Sequence, residues 1–163
     1  MTILEKWRDS VAQWRDSVGH TDSTTWKKVL VPALGRPYSG RAVEVACRLA
    51  KTSGAQLYLA YVMEVPRAFM LDASLPEAEC QAADTLADAQ RIVEGFRIHP
   101  IPIVHRVRNP RDGILKLITQ EQIDLLVLGV RPDEVRGLPK DLSRELARQV
   151  SCEVVIDYIA DEQ

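Results

Sequence analysis

No stretch of the sequence approaches the ~20 consecutive apolar residues of a membrane-spanning helix, so direct membrane insertion is not expected. Neither sign of charge is in excess. The 21 Lys and Arg stand against 23 Asp and Glu, a net charge of −2, which leaves no basic surface for nucleic acid. Cysteine is scarce: Cys47, Cys80 and Cys152 are odd in number, widely spaced and without a C-x-x-C. The pattern fits three buried free thiols and a reducing compartment, the cytoplasm, better than a disulfide framework. His20, His99 and His105 lie too far apart for metal-ligand spacing, so no metal is expected. No G-x-S-x-G surrounds Ser143, and Asp133-Glu134 sits in a polar loop where exposure is the expectation. Neither GxGxxG nor GxxxxGK[ST] occurs. The N-terminus carries Glu5, Asp9 and Asp16 and no apolar core, so it does not read as a secretory signal. These absences leave no catalytic constellation, and the chain is not expected to be an enzyme.

What is present is one domain's worth of chain, 163 residues, 46% apolar and 27% charged. Its centre is Ile123-Asp124-Leu125-Leu126-Val127-Leu128-Gly129-Val130-Arg131-Pro132. A short apolar run between an acidic residue and a Gly/Pro segment marks a central parallel strand buried on both faces. A glycine at the end of such a strand is where an α/β sheet meets a ligand.

Ahead of the domain, residues 1–19 hold a repeat: Trp7-Arg8-Asp9-Ser10-Val11 recurs as Trp14-Arg15-Asp16-Ser17-Val18. Leu4, Trp7, Val11, Trp14 and Val18 fall on one stripe of an amphipathic helix. So short a helix is marginal alone in water. It either packs on its own domain or docks on a partner, as tryptophan-rich faces do. Residues 20–25 read as a linker, and residues 26–163 as the α/β domain.

Within that domain the pattern alternates. Strands are expected over 27–33, 56–63, 101–107, 124–130 and 153–158. Helices are expected over 39–52, from a Ser74-Leu75-Pro76-Glu77 capping box through Phe96, from Asn109-Pro110 onward, and over 141–150. Gly54 is the expected stop of the first helix. The loop from Glu64 to Leu75 carries Phe69, Met70 and Leu71, which either cover the sheet end or meet another chain. Alternation of this kind predicts a five-stranded parallel sheet, order 3-2-1-4-5, with helices on both faces. Residues 34–37 and 129–140 then line a crevice between strands 1 and 4 at their carboxyl ends.

Several of these landmarks together resemble the universal stress protein family: Val29-Leu30-Val31-Pro32, Ala42 and Ala46, Gly54-Ala55-Gln56-Leu57, Asn109-Pro110, Ile123 to Gly129, and Ser151 to Val155. The resemblance covers about residues 26–158 and implies a homodimerising α/β fold, some of whose members bind ATP. The binders have an aspartate after strand 1 and a G-x2-G-x9-G-[ST] run after strand 4. There, backbone N–H groups and a helix N-terminus face the phosphates.

This chain departs from that pattern. Leu34 stands where the aspartate would be, followed by Gly35 and then Arg36. Gly129 is present, but three residues on stands Pro132, which has no N–H to offer. The final pair is Leu142-Ser143 or Lys140-Asp141, depending on register, and neither contains a glycine. The expectation is therefore a family member that does not bind ATP and needs no cofactor. It would act as an accessory or regulatory subunit through protein–protein contacts. The candidate interface residues are Trp7, Val11, Trp14, Val18, Phe69, Met70, Val154 and Ile156. The partner is a second copy or a larger complex, including a membrane-bound one docked from the cytoplasmic side. The alternative is a nucleotide- or anion-sensing domain that binds ATP or AMP. Its pocket would be lined by Leu34, Gly35, Arg36, Val62, Gly129, Arg131, Pro132 and Ser143, with Arg136 and Lys140 also in reach. A weak nucleotide hydrolase ranks last.

Overall fold

A computed structural model describes residues 26–131 and 136–158. Five strands form one parallel sheet: β1 Lys28–Leu34, β2 Gln56–Glu64, β3 Ile101–Val107, β4 Leu125–Val130 and β5 Glu153–Tyr158, in the order β3-β2-β1-β4-β5. The helices are α1 Gly40–Ser53, α2 Pro76–Glu94, α3 Pro110–Glu121 and α4 Lys140–Gln149. The expected architecture is the observed one. The tryptophan stripe of residues 1–19 and the linker lie outside the described residues, as do Pro132, Asp133 and Glu134.

The period of two along each strand splits the core into two layers. Val29, Val31, Leu57, Leu59, Tyr61, Leu125 and Val127 face α1 and α2, where Ala42, Ala46, Ala82, Leu86 and Val93 meet them. Leu30, Tyr58, Ala60, Leu126 and Leu128 face α3 and α4, against Ile114, Leu117, Ile118, Leu138 and Leu146. Burial on both sides explains why β4 is apolar throughout. Asp124, just ahead of β4, serves the sheet itself. One of its carboxylate oxygens accepts from the Lys27 and Lys28 N–H groups at 2.7 and 3.0 Å, tying the entry of β1 to that of β4.

Local chemistry sets most helix ends. The Ser39 side chain accepts from the Ala42 N–H to open α1, and Gly54, at φ 66°, closes it. Asn109 accepts from the Asp112 N–H to open α3 at Pro110. The capping box expected at Ser74 does not form. Pro76 takes the first helical position, Leu75 becomes the cap residue and makes no side-chain bond, and its side chain packs on the α1/α2 layer instead.

The thiols also differ from expectation. Cys47 is buried, Cys80 lies exposed on α2 and Cys152 is half-buried; all three are free. Leu142 and Val150 are half-buried, and Phe96 falls beyond the end of α2.

Candidate functional site

The carboxyl ends of β1 and β4 face the same side, and the connections that leave them approach one another. β1 ends at Leu34, in register with Val62 of β2. Gly35 follows at φ 58°, a conformation that suits glycine, and its carbonyl accepts from Gln81 Nε2 of α2 at 3.0 Å. Arg36 is half-buried in the same turn. β4 ends in Gly129, Val130 and then Arg131. A Cβ added at Gly129 would lie 2.7 Å from Ala42 Cβ and 2.8 Å from Ser39 Cβ, so this glycine lets the start of α1 pack onto β4. Its bareness is already used by the fold.

The loop that returns toward α4 is stitched across the crevice by its own amides. The Gly137 N–H donates to the Pro37 carbonyl at 3.0 Å, and the Leu138 N–H to the Gly129 carbonyl at 2.8 Å. Gly137 adopts φ 73°, and a Cβ there would meet the Gly129 oxygen at 2.4 Å. Amides that could have faced an anion are thus donated to carbonyls. α4 begins at Lys140, so of the two possible registers the helix start falls on Lys140-Asp141, with an acidic residue in the first turn. Aspartate there occupies the electrostatic position an anion would take.

The main occupant of the crevice is Arg131. Its guanidinium donates to the Ser39 hydroxyl on the β1 side, to the Asp157 carboxylate of β5 at 2.9 Å, and to the Asp157 carbonyl at 3.2 Å. Asp157 in turn meets Arg41 Nε at 3.5 Å. The Arg131 and Asp157 side chains are 14% and 11% exposed, so the pair is largely withdrawn from water, and parting it would leave a charge short of its partner there. Arg131 is thus engaged by Ser39 and Asp157 in this structure. Among the described residues of this cluster, two arginines meet one aspartate, and Arg41 lies toward the surface.

Other candidates are placed elsewhere. The Val62 side chain is fully buried in the core. Ser143 is buried on α4 and donates to the Pro139 carbonyl at 3.0 Å. Leu34 packs on the α3/α4 layer. Lys140 Nζ sits 5.9 Å above the Tyr158 ring. Of the residues read as lining one pocket, Gly129 and Arg131 meet across the crevice with Ser39, which sequence reasoning missed, as it missed Asp157. A Ser-Gly at a helix start gave the signal for Ser39. Nothing local could point to Asp157, because the β4–β5 register is what sets it opposite Gly129.

Of the interface candidates, Phe69 and Met70 are exposed, and Ile156 is exposed on the outer strand β5, where Val154 is half-buried. No group of three His, Cys, Asp or Glu that could hold a metal occurs among the described residues. No helix there is long and apolar enough to cross a membrane.

The fold and crevice define an open, doubly wound α/β domain of the kind built to receive ligands at a strand-order reversal. The model of the Universal stress protein family matches residues 25–157, and the chain belongs to that family. No curated protein matches the sequence. Among solved structures, the chain is similar to a universal stress protein from Archaeoglobus fulgidus, with TM-score 0.64 and 17% identity, covering 80% of this chain and 92% of that one. It is also similar to a universal stress protein in complex with cAMP, with TM-score 0.60 and 21% identity, covering 84% and 100%. A third is the Archaeoglobus fulgidus protein in complex with dAMP, with TM-score 0.63 and 14% identity, covering 82% and 98%.

Proposed function

We propose that this chain is a non-catalytic member of the family whose crevice has been given over to internal contacts, and that it acts as an accessory or regulatory subunit, in the cytoplasm, through protein–protein contacts. One observation carries the reading: Arg131 bridges Ser39 and Asp157 across the lips of the crevice. For a triphosphate to enter, that pair has to part and the Gly137 and Leu138 amides have to leave their carbonyls. Each buried group left unsatisfied costs roughly 1–3 kcal/mol, and each 1.4 kcal/mol is about tenfold in affinity. Several such losses together remove micromolar binding. Association would use β5, whose outer edge carries no proline, and the apolar side chains outside the core.

A second reading is favoured by the nucleotides named with the related structures, cAMP and dAMP. In it the chain senses a nucleotide such as ATP or AMP in the same crevice, and Arg131 turns from Asp157 to the phosphate. Calorimetric titration of ATP, AMP and cAMP into the purified chain separates the two. The first reading predicts no saturable heat at ligand concentrations up to millimolar. Micromolar binding that Arg131→Ala weakens supports the second reading and overturns the first.

A further inference from the structure

At the opposite edge of the sheet from β5, the β2–α2 connection exposes three large apolar side chains in a row: Phe69 at 48%, Met70 at 73% and Leu71 at 44%. Such a run in a loop would ordinarily collapse or fray, yet this one is fastened at both ends. Arg106 of β3 donates to the Ala73 carbonyl at 2.7 Å and reaches the Leu71 carbonyl, while pairing with Glu79. Arg108 donates through Nη1 to the carbonyls of Val65 and Pro66, at 3.2 and 2.7 Å. Two further turns, Phe69 N–H to Pro66 O and Ala73 N–H to Met70 O, both 3.0 Å, fix the run between them. The apolar ledge is preorganised, which lowers the entropy cost of binding to it.

Beside the ledge lies a cleft of about 280 Å³, walled by Leu71, His105, Arg108, Asp112 and Lys116. Its charges do not balance locally. Asp112 meets Arg111, 3.4 Å away, which also pairs with Glu145 at 3.5 Å, and Arg106 pairs with Glu79; the cleft's own walls still carry Arg106, Arg108 and Lys116 against Asp112. Arg108 meets only neutral carbonyls among the described residues, and Lys116 is exposed with no ion pair there. His105 lines the cleft, and its buried Nε2 has no hydrogen-bond partner among the described residues. The α3 amides contribute little, because Asn109 already caps that helix.

We infer that this ledge and cleft form a docking site for a partner protein segment in which a carboxylate side chain stands next to bulky apolar residues. The acid enters the cleft toward Lys116 and Arg108, a small rotation of the His105 ring gives Nε2 its missing partner, and the apolar residues lie on Phe69, Met70 and Leu71. A discrete carboxylate fits better than an anionic membrane. The pocket is concave, and the exposed Asp72, next in the chain after Leu71, is a charge that a uniformly negative surface would meet head-on while a short segment can pass it. The inference rests on the protein-contact reading above and names the chemistry of the partner.

The test is fluorescence anisotropy of the full chain with short labelled peptides that alternate leucine or phenylalanine with aspartate, against counterparts with lysine for aspartate. The expected result is saturable binding of the acidic set alone, weakened at least tenfold by Met70→Asp and by Lys116→Glu. Neither substitution removes a bond that holds the loop. No preference for the acidic peptides overturns the inference. So does binding to phosphatidylserine vesicles that depends on the same two residues, dissociation of a dimer by Met70→Asp, or tighter peptide binding when Trp7 and Trp14 are both changed to alanine. These last three assign the ledge to a membrane, a second copy or the chain's own N-terminal segment. ATP calorimetry on the same sample separates a failure of this site from a failure of the crevice reading. Loss of peptide binding with ATP still silent removes this site and leaves the crevice reading standing, whereas ATP binding overturns the crevice reading.

Discussion

At the scale of single residues, Arg131 ties the end of β4 to Ser39 and to Asp157 of β5, and the bareness of Gly129 lets α1 pack on β4. Arg131→Ala leaves the Asp157 carboxylate with Arg41 alone and the Ser39 hydroxyl with only the Ala42 N–H. The expected destabilisation is about 1–3 kcal/mol, read from the shift of a urea unfolding midpoint. Gly129→Ala forces a methyl group against Ser39 and Ala42 and is expected to cost a similar amount by overpacking. A bulky change at Gly129 is therefore a poor probe of ligand binding, because it acts on the fold first. Thiol exposure gives another residue-scale expectation. Cys80 is exposed, whereas burial raises the pKa of the Cys47 and Cys152 thiols. One thiol should react quickly with an aromatic disulfide reagent in native protein, and Cys80→Ser should abolish that fast phase. In the sequence all three cysteines sit among apolar residues. Only the facing of α2 separates Cys80 from the other two.

Elements are legible in the sequence where a local rule and the core agree. Asn109-Pro110 announces α3 because the cap oxygen and the proline both serve the first turn, and no tertiary contact opposes them. Ser74-x-x-Glu77 has the spacing of a capping box, but Pro76 at the first helical position moves the cap to Leu75, which is half-buried against the α1/α2 layer. Two substitutions test the contrast by chemical unfolding. Asn109→Ala should cost about 1 kcal/mol, while Ser74→Ala should stay within about 0.5 kcal/mol, as exposed sites do. Strands buried on both faces, β1, β2 and β4, stand out as apolar runs, and even β3 and β5 are bounded by their flanking turns. The contents of the crevice are less legible. Pairing Arg131 with Asp157, or Gly137 with Pro37, depends on a sheet register and a loop path that no short stretch encodes.

For the molecule as a whole, the strand order follows from the alternation of elements and the right-handedness of their crossovers, since few other arrangements cover both faces of a parallel sheet. Stability as a whole should fall at alkaline pH. Burial, reinforced by Glu44, pushes the Cys47 thiol from its ordinary 9 up to about 11. Burial likewise raises the Tyr38 and Tyr61 phenols. Below about pH 9 the thiol is neutral in both folded and unfolded chains and contributes no pH dependence. Between about pH 9 and 11 only the unfolded chain ionises it, so stability drops by up to roughly 1.4 kcal/mol per pH unit from this group. Urea midpoints at pH 8 and 10.5 measure the drop, and Cys47→Ala should lessen it.

The proposed function turns on a crevice, in a member of the universal stress protein family, whose lips are joined by Arg131, Asp157 and the Gly137 and Leu138 amides. Calorimetric titration of ATP into the full-length chain tests it most directly. The account predicts no saturable heat up to millimolar nucleotide; a micromolar isotherm that Arg131→Ala weakens would contradict it.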